Sequence, residues 1–222
     1  MSSHVSLRRR RVRTTPLALA AGVIGSIVLS LTMTGTLSSF TASIANDKNT
    51  VGTASLAMKE ALVSSSVPGT TSGTTCSSTD GGAGSSAATC STINKFGGDT
   101  AMTPGGPAAT TQVSIQATGT AAVRTFTLSP GICTQTATAG SATTGSATDL
   151  CSKIRVVVTT AGGASVFSGT AAGLASGGPI TLTAPSGQTA VPFTFVVSLD
   201  STADNSYQSL TASMPLTWTF TA

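Results

Sequence analysis

Met214-Pro215-Leu216-Thr217-Trp218-Thr219-Phe220-Thr221 carries its large apolar residues at 214, 216, 218 and 220 and threonine at 217, 219 and 221. Side chains of a strand point alternately to opposite faces, so this stretch has one apolar face and one hydroxyl face. Threonine is β-branched and suits the wet face of a half-buried strand. The same period runs through Phe193-Thr194-Phe195-Val196-Val197-Ser198-Leu199, where Phe193, Phe195, Val197 and Leu199 share a face. It recurs in Val113, Ile115 and Ala117, in Phe126 and Leu128, and in Ile154, Val156 and Val158. Pro215 has no N–H to give to a ladder, so the last strand is expected to face an edge there.

Between these strands lie turn-forming clusters: Thr103-Pro104-Gly105-Gly106-Pro107, Ser129-Pro130-Gly131, Gly162-Gly163, Ser176-Gly177-Gly178-Pro179 and Asp204-Asn205. No stretch beyond the leader keeps a helical period, and no internal repeat of fixed length is present. Many short strands with such turns predict an all-β, antiparallel β-sandwich with a jelly roll as its expected form.

The N-terminus reads differently. Arg8 to Arg11 and Arg13 precede an apolar run from Leu17 to Leu31, and no charge follows until Asp47. A basic segment, an apolar segment and then small residues make a secretory signal peptide. Thr36-Leu37-Ser38 puts small residues at −3 and −1, which predicts cleavage between Ser38 and Ser39; Ser43-Ile44-Ala45 is a second site. The alternative is an uncleaved anchor, since a spanning helix needs roughly 20 apolar residues, although Thr32, Thr34, Gly35 and Thr36 weaken the far end. The arginines lack a following twin-arginine motif. The expected organisation is a signal peptide over 1–38, an N-terminal strand and linker over 39–50, and a sandwich over 51–222 with inserts at 76–90 and 133–151.

Removing the leader changes the electrostatics. The whole chain carries a net charge of +4, but five arginines and the single histidine, His4, belong to the leader. From Ser39 onward six bases stand against seven acids, which leaves −1. The basic balance is therefore a property of the leader and implies no nucleic-acid partner. The membrane is contacted only through the uncleaved leader. Few ions and abundant Thr, Ser, Gly and Ala predict a surface solvated by hydroxyls.

An even number of cysteines in an exported chain favours disulfides. Cys76 and Cys90 flank one Gly/Ser/Thr/Ala segment, and Cys133 and Cys151 flank another. Neighbour pairing would staple each segment at its base, worth roughly 3 kcal/mol per loop in a chain-entropy account. The two other pairings and free thiols are the alternatives. A zinc site would need a Cys-x-x-Cys pair or a histidine beyond the leader, and the chain has neither.

The same lack of histidine excludes Ser-His-Asp and Cys-His nucleophiles and a His-x-x-x-His zinc helix. Asp200 and Asp204 could form a carboxylate pair or a weak calcium site, but beside Asn205 they read as turn formers. Gly81-Gly82-Ala83-Gly84 precedes no helix and reads as linker. Trp218 and Tyr207 could stack on sugars; Trp218, with face-mates Met214, Leu216 and Phe220, reads as core. The expectation is a chain that is not an enzyme and uses no cofactor and no metal.

Three stretches carry a family resemblance. The first is Thr34-Gly35-Thr36-Leu37-Ser38-Ser39-Phe40-Thr41 with Asn49-Thr50-Val51-Gly52-Thr53-Ala54-Ser55-Leu56 and Glu60. The second is Pro104-Gly105-Gly106, the strand at Val113 and Ile115, and Thr118-Gly119-Thr120. The third is Asn205-Ser206-Tyr207-Gln208 followed by the closing strand to Phe220. In this order they resemble the TasA/camelysin family of secreted bacterial proteins. Gly106 stands where that family has an acid and Thr118 where it has Asn, and the two Cys-flanked inserts have no counterpart.

The resemblance implies a jelly-roll domain, a dedicated signal peptidase, and matrix fibres of biofilms built by donating one subunit's N-terminal strand to the next. Here Phe40, Ala42 and Ile44 alternate with Thr41, Ser43 and Ala45, so residues past the cut form a two-faced strand. That strand could join a neighbour in a head-to-tail homopolymer, pair within its own subunit, or fray. Some family members are described as proteases; the missing histidines speak against that activity here. A monomeric, adhesin-like surface-binding module is the other reading.

Overall fold

The computed structural model describes residues 50–99, 101–141 and 143–222. The leader, the cleavage position at Ser38 and Ser39, and the donor residues Phe40, Ala42 and Ile44 lie outside the described residues.

The domain is an all-β sandwich. Its larger sheet has six antiparallel strands: β1 (Met58–Ser65), β2 (Thr75–Ser77), β3 (Ala109–Ala117), β6 (Ile154–Thr160), β7 (Ser165–Thr170) and β9 (Ala190–Leu199), in the order β2-β1-β3-β9-β6-β7. The second layer pairs β4 (Thr125–Pro130) with β11 (Leu216–Thr221) and β8 (Ile180–Leu182), in the order β11-β4-β8. A ribbon of β5 (Thr134–Ala137) and β10 (Leu210–Ser213) continues it.

Period two decides which side chains meet. Val113, Ile115 and Ala117 from β3, Val156 and Val158 from β6, and Phe193, Phe195 and Val197 from β9 are buried against Phe126 and Leu128 of β4. Phe126 meets Phe193 edge-on at 5.8 Å between centroids, and Trp218 lies 5.0 Å from Phe193. These inter-sheet aromatic contacts add to the area the rings bury. The opposite faces carry Thr217, Thr219 and Thr221 opposite Ser129, Thr127 and Thr125.

Two short helices occur where the sequence predicted none: α1 (Leu150–Lys153) and α2 (Ala171–Ser176). Neither completes two turns, so neither leaves a period to read. The Thr170 side chain caps α2 by accepting the Gly173 N–H at 3.0 Å. No helix among the described residues is long and apolar enough to cross a membrane.

Cys76 is bonded to Cys90 and Cys133 to Cys151. Gly81, Gly82 and Gly84 are exposed inside the first loop; Gly81 ends a 3-10 turn, Ser78–Gly81, and Gly82 and Gly84 follow it rather than precede a helix. The second insert lies along the turn at 205–208. The Gly145 N–H donates to the Gln208 carbonyl at 2.8 Å, and that of Ala147 to the Ser206 carbonyl at 2.9 Å. A side chain at Gly145 would run into the Ser206 carbonyl, so glycine is what lets the two backbones approach.

Candidate functional site: an open groove at the last strand

The last strand is interrupted only at Met214 and Pro215, where Pro215 offers its carbonyl to the Gly131 N–H at 2.8 Å. β10 pairs with β5 alone and β11 with β4 alone, so among the described residues no strand covers their outer edge. The proline sits at an edge, as its missing N–H requires.

The inward side chains of this strand are poorly covered. Leu210, Ala212, Met214, Leu216 and Trp218 all face the interior, yet each is only half-buried; Phe220 alone is buried. The first four border a groove of about 900 Å³. Its floor includes Ile154, Val197 and Leu199 of the larger sheet, and its far wall is made by residues within 90–99 and 102–104, with Ile93, Phe96 and Met102. The groove is therefore a gap in the sandwich beside an unpaired edge.

One end of the wall is fixed by a buried polar cluster. Glu60 is on β1 and is buried, like Leu62 two residues on. Lys95 Nζ lies 2.9 Å from Glu60 Oε1, with both side chains about nine-tenths covered. Trp218 Nε1 donates to the same oxygen at 3.0 Å. The cluster ties three distant segments together: β1, the groove wall and β11. The sequence places Glu60 in a stretch of the family resemblance and Trp218 in the core, and nothing local in it joins them to Lys95. The available signal was an acid on the apolar face of a strand, which must find a partner when buried.

At the other end lie the residues of the third resemblance stretch. Asn205–Tyr207 form a 3-10 turn that leads into β10, with Asp204 as its cap. Asp204 accepts from the Ser206 hydroxyl and N–H at 2.6 and 2.8 Å, which hold its carboxyl below the ordinary range. Gln208 Nε2 reaches Asn205 Oδ1 at 3.3 Å. Tyr207 donates its hydroxyl to Asp149 at 2.7 Å, and this bond, with burial, pushes the phenol up to about 12. Lys153 Nζ stands 5.9 Å from the Tyr207 ring centroid.

Asp200 is likewise committed to local structure. It accepts from the Thr202 hydroxyl and N–H and pairs with Arg155 at 2.8 Å, and these contacts hold its carboxyl far below the usual range. Asp200 and Asp204 each accept from the residue two positions on, as turn-forming acids do. Asp80 lies near the sulfurs of Cys76 and Cys90, but those sulfurs are joined to each other and are not thiolate ligands.

No protein-family model and no curated protein matches the chain. The resemblance to the TasA/camelysin family therefore rests on its three sequence stretches.

Proposed function

We propose that this chain is a secreted structural subunit of extracellular fibres, and that the groove beside β10 and β11 is the acceptor for the N-terminal strand of another copy. The observation that supports this is the pairing of an open strand edge with a row of half-covered apolar side chains. An added strand would take up the edge's free backbone groups and seat alternate side chains in the gap. The donor is Ser39–Ala45, in which Phe40, Ala42 and Ile44 alternate with Thr41, Ser43 and Ala45. A copy that gives its strand away and receives one from the next leaves the chain of contacts open, which makes a filament.

Two local disulfides fit export to an oxidising exterior. The signal peptidase is the processing partner, and cleavage at Ser38–Ser39 is the trigger, because the uncut apolar run would keep the donor in the membrane. The reading assigns the chain no catalysis, cofactor or nucleic acid.

Electron microscopy of chains beginning at Ser39 and at Asn46 tests the proposal. Filaments are expected from the first and not from the second. Filaments from both would remove the donor role of 39–45. Monomers from both would favour a surface-binding module whose groove takes another ligand.

A further inference from the structure

The groove wall is held by side chains rather than by backbone hydrogen bonds to the sandwich. Between Cys90 and Met102 the one backbone–backbone hydrogen bond among the described residues is local, from the Gly97 N–H to the Asn94 carbonyl. The next anchor downstream is the Gly105 N–H on the Leu199 carbonyl at 3.1 Å. Upstream, the largely exposed run from Thr79 to Thr89 makes backbone bonds only within itself. What fixes the wall to the sandwich is packing, with Ile93 in the core, Phe96 and Met102 against it and Gly97 buried beside Ala109 and Val67, together with Lys95 on Glu60 and the Cys76–Cys90 bond, the one covalent tether.

Two of these tethers converge. Glu60 and Cys76 are direct cross-strand partners in the β1–β2 ladder. Cys90 and Lys95 both sit in the wall segment, so the covalent bond and the ion pair fasten it to one cross-strand pair. Cys90 itself borders the groove, whereas neither Cys133 nor Cys151 does. Cys76 and Cys90 are both partly exposed, and Thr75, Thr89 and Ser91 beside them are exposed, so a small reductant has access to the bond.

We propose that the Cys76–Cys90 disulfide is a redox clamp on the acceptor groove. Oxidised, it holds the wall opposite β10 and β11 and the groove can seat a strand. A dithiol reductant opens it by thiol–disulfide exchange: its thiolate attacks one sulfur, and its second thiol resolves the mixed disulfide. Two electrons and two protons pass to the chain, leaving Cys76 and Cys90 as thiols and the reductant as a disulfide. The wall then keeps only its non-covalent contacts, Lys95 on Glu60 and the packing of Ile93, Phe96, Gly97 and Met102, and its Cys90 end loosens from the strand edge. Assembly is thereby confined to an oxidising exterior, even where cleaved chain is present elsewhere. This inference rests on the acceptor reading above.

The test uses the secreted chain carrying Phe40→Asp, which cannot donate its own strand, and a synthetic peptide of residues 39–49 as probe. Titration calorimetry compares it with versions that add Cys76→Ser/Cys90→Ser or Cys133→Ser/Cys151→Ser. Hydrogen exchange is followed in the same samples. Losing the first bond is expected to weaken peptide binding by about tenfold or more. The Gly97 amide, the one wall amide bonded to a backbone carbonyl, should exchange at least about tenfold faster, while β3 and β9 stay protected. Losing the second bond should change neither. Equal binding and equal wall exchange with and without Cys76–Cys90 would overturn the clamp alone. No peptide binding to the oxidised chain would overturn the acceptor reading, and the clamp with it. If the serine variant does not fold, judged by Trp218 emission, a dithiol titration of the oxidised chain gives the same readout. Wall exchange that does not rise as Cys76–Cys90 opens rejects the clamp.

Discussion

Trp218 and Glu60, 158 positions apart in sequence, are joined by a 3.0 Å hydrogen bond from the indole Nε1 to a carboxylate oxygen that also faces Lys95 Nζ. One buried acid thus satisfies two donors from two other segments. Such an arrangement contributes little relative to an apolar packing of equal volume, but removing one member leaves the rest uncompensated.

Glu60→Ala should therefore cost about 3–5 kcal/mol, because it strands the Lys95 ammonium and the indole N–H together. Urea unfolding should show a lower midpoint with an unchanged slope. Glu60→Leu combined with Lys95→Met should recover most of the loss. A single variant as stable as the parent would mean that the three groups are not coupled.

Thr111 lies on the inward face of β3, 1 % exposed, and its Oγ1 has no hydrogen-bond partner among the described residues. Valine has nearly the same shape without the hydroxyl. Thr111→Val should raise stability by about 1 kcal/mol, since an unpaired buried hydroxyl costs roughly 1–3 kcal/mol. A drop in the unfolding midpoint would show that the hydroxyl has a partner after all.

Tyr207 links pH to the turn beneath the groove. Its phenol, ordinarily at 10.0, is raised to about 12 by donation to Asp149. The folded chain keeps this proton where the unfolded chain loses it. The stabilisation is complete below 10.0 and is lost as pH rises through about 12. A spectrophotometric titration should place the phenol near 12, and Asp149→Asn should bring it down toward 10.0. Asp200 has the opposite sign: its lowered carboxyl stabilises above the ordinary carboxylate range, and that contribution fades as acid protonates it. Asp200→Asn should flatten the acid limb of the stability curve.

The donor and acceptor roles can be separated by mixing. Phe40 and Ile44 would each bring about 1.5–3 kcal/mol on burial in the groove, and each ladder hydrogen bond about 0.5–1.5 kcal/mol. Phe40→Asp removes the donor and leaves the acceptor; Leu216→Asp, in the groove, does the reverse. Each alone should stay monomeric with an unchanged circular dichroism spectrum. Their mixture should give dimers and no longer species by light scattering, since each dimer has one dead donor and one dead acceptor. Filaments from the mixture would show that contact does not run through these two residues.

Met214–Thr221 shows what is legible in the sequence, whereas the strand Leu210–Ser213 before it is not read there. Its alternation, its hydroxyl face and the edge at Pro215 follow from strand stereochemistry and a missing N–H, which are local and written residue by residue. The turn at Asp204 and Asn205 follows in the same way, because Asp204 bonds to the backbone two residues on. The Cys-flanked segments are too polar to hold themselves by packing, so stapling at the base could be read as well. The helix Ala171–Ser176 could not, because six residues are too few to display a period.

The sequence by itself determined the strand class of the chain, the inward and outward faces and the turns between them, because each depends on neighbours in the chain. Only the tertiary structure decided that Lys95 lies on Glu60, that Trp218 completes the pair, and that the wall made by residues within 90–99 and 102–104 stands off from the β10–β11 edge to leave a groove. Those are long-range outcomes of strand order, and the order β2-β1-β3-β9-β6-β7 depends on which apolar faces pack best together. A period of two marks a face for burial without naming the face it meets.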